Sequence, residues 1–113
     1  MAGIVYYANY LRFIERARSD IAEQMGLDQR AMREEGIVFA VTRVEADYLG
    51  AARFGDRLEV HTTHASEGAV RWIFDQTVTR DGVPIFRAKV TAICMSATGK
   101  PRRLPAKLRS LQS

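Results

Sequence analysis

Residues 1–18 read Met-Ala-Gly-Ile-Val-Tyr-Tyr-Ala-Asn-Tyr-Leu-Arg-Phe-Ile-Glu-Arg-Ala-Arg. A glycine and an apolar pair are followed by aromatic residues that lead into a helical pattern. From Tyr10 to Met25 apolar residues recur at steps of three or four, which places them on one helix face. Asn9 is a candidate N-cap and Gly26 a candidate terminator. We therefore expect one long helix over residues 9–25.

Beyond this helix the pattern becomes that of a sheet. A short second helix is expected at residues 28–35, and strands at 37–49, 58–64, 69–80 and 85–97, with Asp81-Gly82 as a hairpin turn. Strict alternation predicts a set of side chains that share one face of the first strand, and a second such set in the last strand. These sets are Val38, Ala40, Thr42, Val44, Ala46 and Tyr48, and Phe86, Ala88, Val90, Ala92 and Cys94.

One long helix followed by four antiparallel strands predicts an α+β fold, in which a curved sheet wraps around the helix. The small residues of the last strand suggest that the helix lies close to the sheet there.

Length and composition describe an ordinary globular chain. The 113 residues are 47% hydrophobic and 27% charged, which predicts one domain over residues 1–113. No apolar run approaches the roughly 20 residues of a membrane span, and no signal segment starts the chain. The single cysteine, Cys94, cannot form an internal disulfide, so the expected compartment is the reducing cytoplasm.

The net charge of +4 is concentrated near the C-terminus. Residues 99–110 contain five basic side chains and no acid, leaving 12 basic against 13 acidic residues elsewhere. Two interpretations remain open: a solvated tail, or a surface that contacts the phosphates of coenzyme A, an acidic carrier protein or a membrane. No nucleic-acid partner is expected, because the segment has no aromatic residues for stacking.

The opening stretch resembles the active-site entry of hot-dog thioesterases of the 4-hydroxybenzoyl-CoA type, and most closely the tol-pal-associated acyl-CoA thioesterases. That family carries Asp-x-x-Gly-(Ile/Val)-Val-(Tyr/Phe)-x-x-x-Tyr. Four further segments are similar to the tol-pal-associated branch, in the same order and spacing. They are Glu15-Arg16-Ala17-Arg18, Asp47-Tyr48-Leu49-Gly50-Ala51-Ala52-Arg53, Asp56-Arg57-Leu58-Glu59-Val60, and Lys100-Pro101-Arg102-Arg103-Leu104-Pro105.

The resemblance implies a hot-dog fold and hydrolysis of short-chain or aromatic acyl-CoA at a site between two subunits of a homodimer or homotetramer. An acyl carrier protein is a possible partner, and no metal or bound cofactor is implied. The backbone amide of Tyr7 would polarise the thioester carbonyl, and Gly3 would let the backbone approach the acyl group. The substrate contacts implied for the rest of the site are Ile4, Val5, Arg71, Lys100, Arg102 and Arg103.

Two positions depart from the family pattern. Tyr7 stands where the tol-pal-associated branch often has His, and only Met1 and Ala2 precede Gly3, so the family's Asp has no counterpart. The family fold also has a strand before the helix. We therefore expect an N-terminally short domain with an unpaired sheet edge that another chain or segment covers.

Three hypotheses remain for the function of this chain. It is a short form of an active thioesterase, a catalytically silent acyl-thioester binder or scaffold, or a basic adaptor that uses residues 99–110.

The other reactive side chains are expected to have structural rather than catalytic or metal-binding roles. Glu15, two helical turns beyond Tyr7, is expected to pair with the neighbouring Arg12 and Arg18. His61 and His64 should lie on opposite faces of their strand, which argues against a metal site. Inward placement of Cys94 argues against a catalytic thiol. Ser66 and Ser96 lack a suitably spaced His, and Tyr6 and Tyr10 are expected to pack against the sheet.

Overall fold

A computed structural model describes residues 7–52 and 55–109, with side chains from Tyr10 onward. In chain order its elements are α1 (Tyr7–Gln24), α2 (Gln29–Glu34), β1 (Ile37–Tyr48), β2 (Leu58–Glu67), β3 (Arg71–Arg80), β4 (Val83–Ser96) and α3 (Ala106–Arg109). The four strands form one antiparallel sheet in the order β1-β4-β3-β2. The α+β prediction is confirmed.

The long helix begins two residues earlier than predicted. Tyr7 is its first residue, so Asn9 lies inside the first turn and its assignment as N-cap was wrong. No glycine or proline separates Tyr7 from Asn9, so nothing in the backbone opposes helix there. Gly26 ends the helix as predicted, with a φ of 74° and its N–H donating to the Glu23 carbonyl at 2.9 Å.

The hairpin between β3 and β4 has the predicted turn. Asp81 and Gly82 have φ values of 50° and 82°, the left-handed conformation that a two-residue turn between twisted strands requires. Arg80 pairs directly with Val83 across the turn. The register set by this turn holds to Thr79 opposite Pro84 and then shifts by one residue, so that Val78 lies opposite Phe86.

The first strand carries a bulge that the sequence did not reveal. Its register against β4 shifts between Val41 and Arg43, which leaves Thr42 as the extra residue. Phe39 is opposite Cys94, whereas Val44 is opposite Val90, and both partners are buried. The shared face predicted for β1 is therefore wrong before the bulge, where Val38 and Ala40 lie on the opposite face from Val44.

The helix packs mainly on β2 and β3 rather than on β4, where the small residues predicted it. We call the inner face of β3 beneath α1 the covered region; its core includes Trp72, Phe74 and Val78. We call Val41, Val44 and Tyr48, which lie on the inner face of β1, the β1 strip. In the strip these side chains are 49%, 45% and 45% exposed. The inner face of β1 thus lies open at these three positions within a single chain.

Both outer strands are unpaired at their outer edges among the described residues, because β1 and β2 end the sheet on either side. The open edge expected beside the helix is present. Whether another segment or chain covers it stays a prediction.

After β4 the chain returns along the same end of the sheet. Pro101 bridges to Met95, and the Leu104 N–H donates to the Ala69 carbonyl at 2.8 Å. Leu104 and Leu108 are buried, the second of them in α3, a short helix that was not predicted. The basic segment is therefore docked on the domain at its apolar positions.

Candidate functional site

The start of α1 is held against the sheet by Tyr10. This side chain is fully buried, its ring centroid lies 5.3 Å from that of Phe86, and its hydroxyl accepts a hydrogen bond from the Ala52 N–H at 3.0 Å. The packing role predicted for Tyr10 is confirmed. Because the first backbone N–H groups of a helix have no partner within it, the first turn presents donors in the positive end of the helix dipole.

Of the residues proposed for the helix entry, only the backbone of Tyr7 is described, and it is the first residue of α1. Gly3, Ile4, Val5 and Tyr6 lie outside the described residues.

The predicted coenzyme A contacts come together at the other end of the sheet. The Arg102 N–H donates to the Cys94 carbonyl at 2.9 Å, and Arg103 leads to Leu104 beside the turn that precedes β3. Arg71 is the first residue of β3 and lies 3.5 Å from Glu67 as a solvent-exposed ion pair. With the exposed Lys100, these side chains make that end strongly basic.

The two halves of the predicted site are far apart within one chain. The 18 residues of α1 span about 27 Å. The end of α1 lies with the basic segment, because Lys107 Nζ donates to the Gly26 carbonyl at 3.5 Å. Tyr7 and the basic residues therefore occupy opposite ends of the domain.

A cavity of about 190 Å³ lies between these ends, under the middle of α1. Three aromatic rings form one wall: the ring centroids of Phe39 and Trp72 are 5.4 Å apart, and those of Trp72 and Phe74 are 4.6 Å apart. The polar residues at its mouth are Glu15, Arg18, Ser19 and Gln29. It continues into a second cavity of about 330 Å³ that shares Gln29 and Phe39.

Arg18 is the half-buried cation of this cavity. Its Nη1 donates to Gln76 Oε1 at 3.0 Å, and its guanidinium carbon lies 6.0 Å from the Phe74 ring centroid. Burial lowers the pKa of Arg18, and the nearby Glu15 carboxylate partly opposes that shift. The group remains charged, because an arginine pKa starts so high.

Glu15 does not form the expected ion pair. None of the ion pairs among the described side chains includes it, so the structural pairing predicted with Arg12 and Arg18 was wrong. The reason is that Arg18 turns towards the sheet, where it binds Gln76. Glu15 is left as an exposed carboxylate at the cavity mouth.

The two histidines lie on opposite faces of β2, as predicted. His61 is opposite Thr77 on the outer face, and His64 is opposite Phe74 on the inner face. His64 Nδ1 accepts a hydrogen bond from Trp72 Nε1 at 3.1 Å, and burial lowers the pKa of this imidazole. His64 is therefore neutral at pH 7.

The serine and cysteine candidates have no catalytic partners in the described part of the chain. Ser66 Oγ is buried with no hydrogen-bond partner there, and Ser96 Oγ pairs with Thr98 Oγ1 at 2.9 Å. Cys94 is buried and inward as predicted, and burial raises the pKa of its thiol, with Arg102 partly opposing this. Residues 7–52 and 55–109 contain no group of three or more His, Cys, Asp or Glu side chains placed to hold a metal ion.

A long helix on a four-stranded antiparallel sheet, with an aromatic cavity between them, is the architecture of the hot-dog class. The model of the thioesterase-like superfamily matches residues 1–111. The chain belongs to this family, and the resemblance inferred from the sequence is confirmed.

Two named relatives illustrate the similarity. An acyl-CoA thioester hydrolase, YbgC, of Escherichia coli O6:H1 is 31% identical over 105 residues, covering 91% of this chain and 78% of the relative. An acyl-CoA thioesterase, YbgC, of Haemophilus influenzae is 30% identical over 110 residues, covering 96% and 81%.

Solved structures show the same fold. A 1,4-dihydroxy-2-naphthoyl-CoA thioesterase from Synechocystis superposes with a TM-score of 0.87 at 21% identity, over 96% of this chain and 82% of that one. A probable thioesterase from Bartonella henselae gives 0.81 at 29% identity, over 91% and 86%. No helix among the described residues is long and apolar enough to cross a membrane.

The sequence analysis did not predict that Arg18 and Gln76 would meet at this cavity. A signal for Gln76 was present, because it is a polar residue at an inward position between Phe74 and Val78. No comparable signal marks Arg18, since an arginine on an amphipathic helix is typical of a solvated face.

Proposed function

We propose that this protein is an acyl-CoA thioesterase that hydrolyses short-chain or aromatic acyl-CoA to the free acid and coenzyme A. Membership of the thioesterase-like superfamily over residues 1–111 carries this proposal. Coenzyme A thioester is the substrate and no resident cofactor or metal takes part. A cytoplasmic site of action fits such a substrate and the single, unpaired Cys94.

The proposed electrophilic half of the site is the start of α1. The backbone amide of Tyr7 polarises the thioester carbonyl and stabilises the developing oxyanion, helped by the helix dipole. Its support is the position of Tyr7 as first helical residue, on a turn anchored by the buried Tyr10. Gly3 permits close approach, with Ile4 and Val5 beside the acyl group.

The proposed active assembly is a homodimer, alone or within a tetramer. Two observations support it. The β1 strip leaves apolar side chains open on the inner face, and Tyr7 and the basic residues of its own chain lie at opposite ends of the domain. A two-fold axis that sets the two α1 helices antiparallel would place one subunit's Tyr7 near its partner's basic end. Arg71, Lys100, Arg102 and Arg103 would then contact the coenzyme A phosphates across the interface.

The second half of the chemistry is a carboxylate. Thioester hydrolysis of this kind needs a nucleophile or general base, and the family's Asp would lie one position before Met1. Glu15 is the carboxylate at the mouth of the aromatic cavity, without an ion-pair partner among the described side chains. It is therefore the group to replace first.

The test is steady-state hydrolysis of acetyl-, butyryl- and benzoyl-CoA, followed by release of free thiol. Wild type is compared with Glu15→Gln and with Glu23→Gln, a matched control on the exposed part of the same helix. We expect turnover that Glu23→Gln leaves unchanged. Because Glu15 lies about 12 Å along α1 from Tyr7, only a loss of at least about 100-fold in Glu15→Gln would assign it the role of base. Turnover that survives Glu15→Gln would remove Glu15 from the reaction.

A rate equal to the enzyme-free blank for every substrate would contradict hydrolysis by this chain. The alternative is then a catalytically silent acyl-thioester binder or scaffold. Isothermal titration with non-hydrolysable thioether analogues of acyl-CoA separates the two, since a silent binder retains affinity without turnover.

A further inference from the structure

The peptide unit between Ala51 and Ala52, in the loop after β1, is held on both sides by side chains from other elements. Its carbonyl, on Ala51, accepts a hydrogen bond of 2.6 Å from Arg80 Nη1. Its N–H, on Ala52, donates to the hydroxyl of Tyr10 at 3.0 Å. One peptide unit therefore connects Arg80, at the end of β3, to Tyr10 near the start of α1.

Arg80 is directed at this carbonyl rather than at a carboxylate. None of the ion pairs among the described side chains includes it. Its backbone position is fixed, because it pairs with Leu58 on β2 and with Val83 across the hairpin turn. A hydrogen bond from a charged donor is stronger than one between neutral groups. Because hydrogen bonds in a chain polarise one another, this bond makes the Ala52 N–H a better donor to Tyr10.

The Tyr10 end of this connection lies over the helical turn that begins at Tyr7. Helical side chains point towards the N-terminus of their helix, so the Tyr10 ring covers the turn before its own Cα. Tyr10 and Ala52 are both fully buried, which shields the bond between them from water. Because helix ends fray, a buried bond at this point restrains the backbone amide of Tyr7.

We propose that Arg80 and the hydroxyl of Tyr10 are positioning residues for the Tyr7 amide, acting through the peptide between Ala51 and Ala52. The amide stabilises a developing oxyanion only when its N–H is aimed at that oxygen. A misplacement of about 1 Å, caused by a change far from the reacting atoms, can cost about 100-fold in rate. The inference rests on the proposed function for the role of Tyr7.

The kinetic test compares kcat and KM for butyryl-CoA in wild type, Arg80→Met, Arg80→Lys and Tyr10→Phe. Arg87→Met is the matched control, since Arg87 is an exposed arginine on the outer face of β4. We expect Arg80→Met and Tyr10→Phe each to lower kcat at least about tenfold with KM within about twofold, because the aimed amide acts in the transition state. Arg80→Lys retains a charged donor and should lose less, and Arg87→Met should match wild type.

A double-mutant cycle separates one shared connection from two independent effects. If Arg80 acts through the peptide and Tyr10, the combination of Arg80→Met with Tyr10→Phe should lose no more activity than the more damaged single variant. Losses that multiply in the double variant would overturn the connection, because independent residues contribute additively to the free energy of activation.

The orientation of the amide is measured on a bound ketone. The probe is the analogue of butyryl-CoA in which a methylene replaces the sulfur, so that a ketone takes the place of the thioester carbonyl and cannot be hydrolysed. Donors aimed at this oxygen polarise the ketone, which lowers its C=O stretching frequency in infrared difference spectra. We expect a lower frequency in wild type and Arg87→Met than in Arg80→Met or Tyr10→Phe. Since only protein that binds the ketone contributes, partial unfolding does not imitate the effect.

Equal frequencies in wild type and Arg80→Met would overturn the inference while leaving the proposed hydrolysis intact, and so would a fall in kcat without a change in frequency. A ketone that wild type does not bind, or binds without polarising it, would also overturn the inference. Conversely, a frequency that depends on Arg80 in a protein without turnover would support the inference and count against hydrolysis.

Discussion

The covered region and the β1 strip have similar sequence patterns and different surroundings. In the covered region Trp72, Phe74 and Val78 are at most 3% exposed beneath α1, whereas the side chains of the β1 strip are at least 45% exposed. Both carry apolar or aromatic residues at the inward positions of a strand. The difference shows that the apolar inner face of β1 is left uncovered by α1, and that this strip suits a second chain.

The largest effect is expected in the covered region. Phe74→Ala removes a side chain that contacts Trp72, and we expect a loss of about 3–5 kcal/mol in the free energy of unfolding. Urea denaturation measures it. Phe13→Ala, at a position 38% exposed on α1, should cost well under about 1 kcal/mol. Similar losses for both variants would mean that the covered region is not the core.

A substitution in the β1 strip is expected to weaken dimer formation. Val44→Asp places a charge on the proposed dimer interface, and we expect dimer affinity to fall at least about 100-fold. Light scattering after size exclusion would show a monomer at concentrations where wild type is a dimer. Val83→Asp, at a position 54% exposed beside the hairpin turn, is the control and should leave the mass unchanged. A Val44→Asp dimer of undiminished affinity would place the interface elsewhere.

The smallest effect concerns protonation of His64, which lies on β2 beside the covered region. Burial lowers the pKa of His64 below its ordinary value of 6.5, so the folded state binds this proton less readily than the unfolded state. The stability it contributes is complete above pH 6.5 and is lost as the pH falls towards the folded pKa. Thermal unfolding from pH 7.5 to 5 should show a decrease of a few degrees at most, reduced in His64→Gln.

His61→Gln serves as the comparison for that titration, since His61 is exposed on the outer face of the same strand. It should retain the wild-type pH dependence. Equal flattening by both substitutions would show that the titration does not belong to the inner face.

Sequence periodicity predicted the number, type and order of the main elements, because each strand and the long helix present a regular apolar face. It failed at Thr42, where a bulge changes the inward set of β1 without any glycine or proline to mark it. It also missed α3, whose four residues are too few to show a period and whose burial comes from Leu108.

For the candidate site, the sequence predicted the residues at the two ends of the domain and missed those that line the cavity between them. The motif around Tyr7 and the basic residues near Arg102 are local in sequence, so they are recognisable without a structure. The bond between Arg18 and Gln76 joins residues 58 positions apart. Such a group depends on how the helix lies on the sheet, which composition and spacing do not specify.

The strand order has a consequence for how the chain folds. Hairpins connect β2 to β3 and β3 to β4. In contrast, β1 pairs with a strand far away in the sequence, β4, as in the contact of Thr42 with Thr91, 49 residues away. Closing that loop costs more entropy than closing either hairpin. The three-stranded meander is therefore expected to form first and β1 to dock late. The strand that carries the proposed subunit interface thus becomes competent for association only when the monomer is nearly complete.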